Sequence, residues 1–123
     1  MGTRKGQPWV AVVEDDADVR TAVKDLLTSN GLRARGYSSA EAFLQSALFG
    51  AAGCVVLDYR LPGMNGLELQ RQLRTRGLNT PVIFVTSDPN ISMVANTDAL
   101  AVLRKPFDPD ELASLVKIAL LQR

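Results

Sequence analysis

Histidine is absent from this chain, and cysteine occurs once, at Cys54. The first absence removes imidazole metal sites, histidine-dependent triads and any phosphohistidine carried by the chain itself. The second removes an intrachain disulfide framework and suits a reducing compartment. Cys54 lies inside an apolar run and reads as a small core residue. An excess of one charge is also lacking, since 14 Lys and Arg stand against 13 Asp and Glu, for a net charge of +1. That balance argues against a surface that is wholly a nucleic-acid footprint, so no direct nucleic-acid binding by this domain is expected. No apolar run is long enough to span a bilayer. The basic opening MGTRKGQPW is followed by no apolar segment of signal type, and Gly6 replaces the hydroxyl residue of a myristoylation signal. The expectation is a cytoplasmic protein without a membrane partner, with a tail over residues 1–8 and one domain over residues 9–123.

What is present is ordinary globular material. Hydrophobic residues make up 46% of the 123 positions and charged residues 22%, enough for one real core. WVAVV (Trp9 to Val13) reads as a strand running into Glu14-Asp15-Asp16. Val19, Ala22, Val23, Leu26 and Leu27 recur at helical spacing over Ala17 to Ser29, and Asn30-Gly31 supplies the stop. Leu32 to Tyr37 is a more polar strand, as an edge strand can be. Ser38-Ser39-Ala40-Glu41 reads as a capping box opening a helix that ends near Leu48. Gly53 to Asp58 is apolar on both faces, as a central strand of a covered parallel sheet must be. Asn65 to Arg76 reads as a helix with Leu67, Leu69, Leu73 and Leu78 turned inward. Pro81 to Thr86 and Ala101 to Arg104 are further strands, with one short helix expected around Ser92 to Asn96 between them. Asp108-Pro109-Asp110-Glu111 is a strong start for a last helix.

Five strands alternating with helices imply an α/β fold with a parallel sheet and helices on both faces. The strand order 2-1-3-4-5 is the common solution, with its crevice beyond the C-terminal ends of strands 1 and 3. Four strands deliver polar residues to that edge: Glu14 and Asp15, Asp58, Thr86 and Ser87, and Lys105. Two carboxylates about 4 Å apart repel by about 4 kcal/mol at an effective dielectric near 20. Glu14, Asp15 and Asp58 therefore need a cation, and Lys105 alone is too little for three acids. An oxygen-only pocket of this kind suits a hard divalent ion, Mg²⁺ or Mn²⁺.

The pieces VVEDD, VVLDYRLPGMNG, VIFVTS and LRKPF, in this order and spacing, resemble the receiver domain of two-component response regulators. The stretches SSAEAFL and LPGMNGLELQRQLRTRG are similar to receivers that precede a helix-turn-helix effector. The resemblance implies a flavodoxin-like three-layer sandwich. It also implies that Asp58 is the phosphoacceptor, taking a phosphoryl group from a histidine kinase or phosphotransfer protein. Asp15 and Asp58 would ligate Mg²⁺ directly, Glu14 through water, and Arg60 by its backbone carbonyl. Lys105 and the Thr86 hydroxyl would meet phosphoryl oxygens, and a cis bond is often found before the proline matching Pro106. A receiver assists its own phosphorylation and dephosphorylation and is not a turnover enzyme. A downstream effector domain or a homodimer would read the switched surface around helix 4, strand 5 and helix 5.

Two features depart from that pattern. Val102 occupies the switch position where the family usually carries an aromatic residue, and the stretch from Thr86 to Lys105 is shorter by roughly three residues. A shortened or irregular helix 4 is expected, with weak coupling between Thr86 and the output face. The rival reading is a phosphorylation-independent interaction module with a degenerate switch. An aspartate-nucleophile phosphatase is disfavoured because Arg60 replaces the second acid such enzymes need. A flavin or dinucleotide site is disfavoured because acids, not a Gly-rich loop, follow strand 1.

Overall fold

The computed structural model describes residues 8–87 and 98–121. Its five strands are β1 (Trp9–Val13), β2 (Arg33–Tyr37), β3 (Cys54–Leu57), β4 (Val82–Thr86) and β5 (Ala101–Arg104). Among the described residues the α-helices are α1 (Ala17–Ser29), α2 (Ala40–Gln45), α3 (Gly66–Thr75) and α4 (Pro109–Leu120). The sheet order is β2-β1-β3-β4-β5 and every pairing is parallel. The flavodoxin-like order expected from the sequence is therefore the one observed. The short helix expected around Ser92 to Asn96, the shortened helix 4 of the sequence reading, falls outside the described residues, and α4 here is the helix 5 of that reading.

Strand alternation divides the core into two layers, because successive side chains point to opposite faces of a sheet. Trp9, Ala11 and Val13 join Val55, Leu57, Val82 and Phe84 beneath α2 and α3, against Phe43, Leu69 and Leu73. Val10, Val12, Cys54, Val56, Ile83 and Val85 face the other way, against Val23 and Leu27 of α1 and Leu112 and Val116 of α4. Burial on both faces explains why β1 and β3 are apolar throughout and β4 is apolar up to its last residue, Thr86. The Cys54 thiol is buried in this second layer, and desolvation pushes its pKa up to about 12. It stays protonated and serves as a core side chain, as the sequence suggested.

Two local expectations are corrected. The capping box at Ser38 does not form: Ser39 is the N-cap of α2 and accepts the Ala42 N–H at 3.0 Å. Glu41 is drawn away to the loop after β3, where its carboxylate accepts the Met64 N–H. A capping box forms instead at α3, where Asn65 and Glu68 exchange side-chain to backbone hydrogen bonds, both at 2.9 Å. Second, α2 stops at Gln45, and a 3-10 turn at Phe49–Ala51 follows in place of a last helical turn near Leu48. Leu67 is only half-buried on α3, whereas Gln70 is buried and donates to Asp98 at 2.6 Å.

Candidate functional site

Parallel pairing places the C-terminal ends of the strands along one edge. Val13 pairs with Leu57, so Glu14 and Asp58 leave adjacent strands at the same height. The Asp58 N–H still donates to the Val13 carbonyl at 3.2 Å, and the Glu14 N–H donates to Tyr37 at 3.0 Å. On the far side, Thr86 is opposite Arg104, and the Lys105 N–H donates to the Thr86 carbonyl at 2.9 Å. Backbone pairing thus fixes where each polar side chain starts.

The side chains converge. Lys105 Nζ lies 2.9 Å from Glu14 Oε1 and 2.9 Å from Asp58 Oδ2, bridging β1 and β3 from β5. Glu14, Asp15 and Asp58 each offer a carboxylate oxygen within 4.8 Å of the others. Glu14 and Asp58 are only 4% and 7% exposed, while Asp15 faces solvent. Three carboxylates against one ammonium leave two net negative charges at one spot, before any bound ion is counted.

The electrostatics follow from that imbalance. Burial raises the Glu14 pKa above its usual value, Asp58 adds to the rise, and the hydrogen bonds from Lys105 and Asp16 only partly offset it. Burial pulls on the Lys105 ammonium in the opposite sense, but the two carboxylates outweigh it and its pKa rises. The ammonium therefore stays charged over the physiological range, and ionised Glu14 is held at a cost that its partners only partly offset.

Backbone contacts hold the loops that carry these groups. Arg60 donates its N–H to Asp58 Oδ1 at 3.0 Å, and Gly66 donates to the Tyr59 carbonyl at 2.9 Å. A Cβ on Gly66 would stand 2.5 Å from the Asp58 carbonyl oxygen and 3.0 Å from the Phe84 ring, so only glycine fits. Asp16 caps α1 by accepting from Asp18 and Val19, which fixes the turn after Glu14. Sequence reasoning missed Arg20, whose Nη1 donates to the Glu14 carbonyl at 2.7 Å. Its place one turn into the helix that follows the acids was the available signal.

The other expected residues sit around this centre. Thr86 is fully buried at the end of β4, and Ser87 is exposed just beyond it. Val102 pairs with Phe84 and is half-buried against the layer containing α3. The Lys105–Pro106 bond is cis.

The sequence matches the family model of the response regulator receiver domain over residues 10–117. The chain belongs to that family. The receiver domain is 37% identical over 114 residues to response regulator protein TmoT of Ectopseudomonas mendocina, covering 90% of this chain and 52% of TmoT. It is 36% identical to transcriptional regulatory protein FixJ of Azorhizobium caulinodans, covering 90% of this chain and 54% of FixJ. The crystal structure of a response regulator receiver protein from Burkholderia phymatum superposes with a TM-score of 0.78 at 39% identity, covering 93% of this chain and 95% of that one. The chain spans about half the length of the curated relatives it matches. Among the described residues no helix is long and apolar enough to cross a membrane.

A family of this kind implies a divalent ion, and the donor set fits one. Three carboxylate oxygens within 4.8 Å of one another form a hard, anionic site with charge left over after Lys105 is counted.

Proposed function

We propose that this receiver domain accepts a phosphoryl group on Asp58 from a histidine kinase or phosphotransfer protein and uses it as a switch, with residues 9–123 as the working domain and residues 1–8 as a tail. A carboxylate oxygen of Asp58 attacks the phosphorus of a phosphohistidine, the P–N bond breaks, and the imidazole leaves with the bonding electron pair. The product is an acyl phosphate on Asp58. In-line phosphoryl transfer asks mainly for positioning and charge neutralisation, and Lys105 supplies a fixed positive charge beside the nucleophile. Glu14, Asp15, Asp58 and the Arg60 backbone carbonyl would hold Mg²⁺ or Mn²⁺, which when bound neutralises charge on the phosphoryl oxygens. The arriving dianion draws Thr86 and Ser87 toward it and shifts the connection that enters β5.

The observation that carries this reading is the Lys105 bridge to both Glu14 and Asp58, at 2.9 Å each, with Asp15 beside them. A surface acid cluster would not bring a lysine from sequence position 105 between two nearly buried carboxylates. The domain would act as a phosphoacceptor in the cytoplasm, not as a turnover enzyme. Its output would be an effector domain or a second copy of the chain. Incubation with acetyl phosphate and Mg²⁺, read by intact mass, tests it. Wild type gains one phosphoryl group and Asp58→Asn gains none; equal uptake by the two would contradict the assignment.

One observation favours a second reading, a phosphorylation-independent interaction module. Val102 occupies the half-buried position opposite Phe84, so a threonine-coupled aromatic rotation has no aromatic side chain to move there. A chain that binds its partner equally well before and after phosphoryl uptake would support that alternative.

A further inference from the structure

The loop between β3 and α3 is fastened from outside the site, by a side chain that touches none of the crevice carboxylates. Glu41 belongs to α2, and its Oε2 accepts the Met64 N–H at 2.8 Å. That hydrogen bond holds the Glu41 carboxyl below the usual carboxylate range, so the acceptor is ionised at neutral pH. Gly63, next to Met64, has φ +74°, and a Cβ there would stand 2.5 Å from Glu41 Oε2. The glycine both permits the turn and lets the carboxylate lie against bare backbone. The inner part of the same loop is held separately, by Arg60 N–H on Asp58 Oδ1 and by Gly66 N–H on the Tyr59 carbonyl. Glu41 therefore anchors the outer part of a loop whose inner part contains Asp58 and Arg60.

We propose that Glu41 is a positioning residue for the divalent-ion site, acting through the β3–α3 loop on the Arg60 backbone carbonyl. The proposal rests on reading Asp58 and Arg60 as ligands. A carbonyl in an untethered loop must be ordered when an ion binds, and that entropy cost weakens affinity. Groups that orient ligands without touching the ion commonly change affinity by about 10-fold to 100-fold when removed. The role requires an oxygen acceptor facing Met64 N–H rather than a negative charge, which sets it apart from a general electrostatic contribution.

Titration of the chain with Mg²⁺ alone by calorimetry, and with Mn²⁺ by electron paramagnetic resonance, tests the idea on wild type, Glu41→Gln, Glu41→Ala and Gly63→Ala. Glu41→Ala should weaken binding about 10-fold. Glu41→Gln should keep most of the affinity, because its side-chain carbonyl still accepts from Met64. Gly63→Ala, which displaces the carboxylate and also strains the turn at φ +74°, should weaken binding at least as much as Glu41→Ala does. Thermal melts in chelator establish that each variant is folded, and if Glu41→Ala is not, Gly63→Ala takes its place in the comparison. Wild-type affinity in folded Glu41→Ala or Gly63→Ala would overturn the proposal while leaving the ion site intact. Glu41→Gln as weak as Glu41→Ala would also overturn it, by pointing to charge. Failure of wild type to bind either ion would bring down the site reading itself and this proposal with it.

Discussion

The two sides of the strand-end crevice are built to different standards. On the β1–β3 side every strand residue is buried, and the loops beyond are fastened by Asp16, Arg20, Gly66 and Glu41. On the β4–β5 side β4 is buried as fully, but on the edge strand β5 Ala101 and Val102 are half-buried and Arg104 is exposed. The first side holds charges that must not move, and covering both faces of its strands makes it stiff. The second side contributes one lysine and the positions assigned to switching, where an alternative arrangement has to cost little. Rigidity is concentrated where the proposed chemistry needs it and relaxed where the proposed signal leaves.

Removing the bridge should break this contrast most severely. Lys105→Met leaves Glu14 and Asp58 facing each other without their cation, and the loss should reach about 1–3 kcal/mol in chemical denaturation, since an unpaired buried charge is expensive. Divalent ion should restore part of it. Gly66→Ala attacks the stiff side by sterics. Its Cβ would meet backbone and an aromatic ring, neither of which yields easily. A cost of about 1–3 kcal/mol, a comparable or slightly smaller loss, is expected for such overpacking.

Raising the pH should undo the bridge reversibly. Lys105 has a folded-state pKa above its ordinary 10.5, so its contribution is complete below that value and is lost as pH climbs through the folded pKa. Glu14 works the other way. Its raised pKa means the folded chain binds that proton more readily than the unfolded one, so ionising it opposes folding and mild acid relieves the strain. Melting temperature should therefore fall above pH 10.5 in wild type, and Lys105→Met should lack that fall.

Val102→Phe sharpens the comparison on the loose side. Stability should change little, within about 1 kcal/mol for a half-buried site. Phosphoryl-dependent hydrogen-exchange protection over residues 98–105 should increase, because the ring supplies an aromatic side chain that can turn inward as Thr86 moves. No change in protection would count against the assigned switch position. The smallest effect belongs to Arg74→Ala, which removes the pair to Asp98 at 2.8 Å. Asp98 is largely exposed, so at most about 1 kcal/mol is at stake.

Much of this was legible in the residues. The apolar strands announced a covered parallel sheet, and the acids after β1 and β3 with Lys105 after β5 predicted a shared crevice; their side chains do converge. What the sequence hid were side chains that satisfy backbone far away in the chain. Glu41 spells a capping box with Ser38, yet Met64 competes for its carboxylate more successfully. Gln70 reads as a surface residue of α3 but is buried because Asp98 takes its amide hydrogen. Arg20 looks like one solvated charge among several, and only the fold brings the Glu14 carbonyl to it. Periodicity and capping rules see neighbours within a turn, and these partners come from other elements.

The most direct measurement is where the phosphoryl group goes. After incubation with acetyl phosphate and Mg²⁺, reduction with borohydride converts an aspartyl phosphate to homoserine, and peptide mass spectrometry locates it. The account predicts homoserine at position 58 and at no other aspartate. Modification at Asp15 instead, or an unmodified chain under conditions where Mg²⁺ binds, would contradict it.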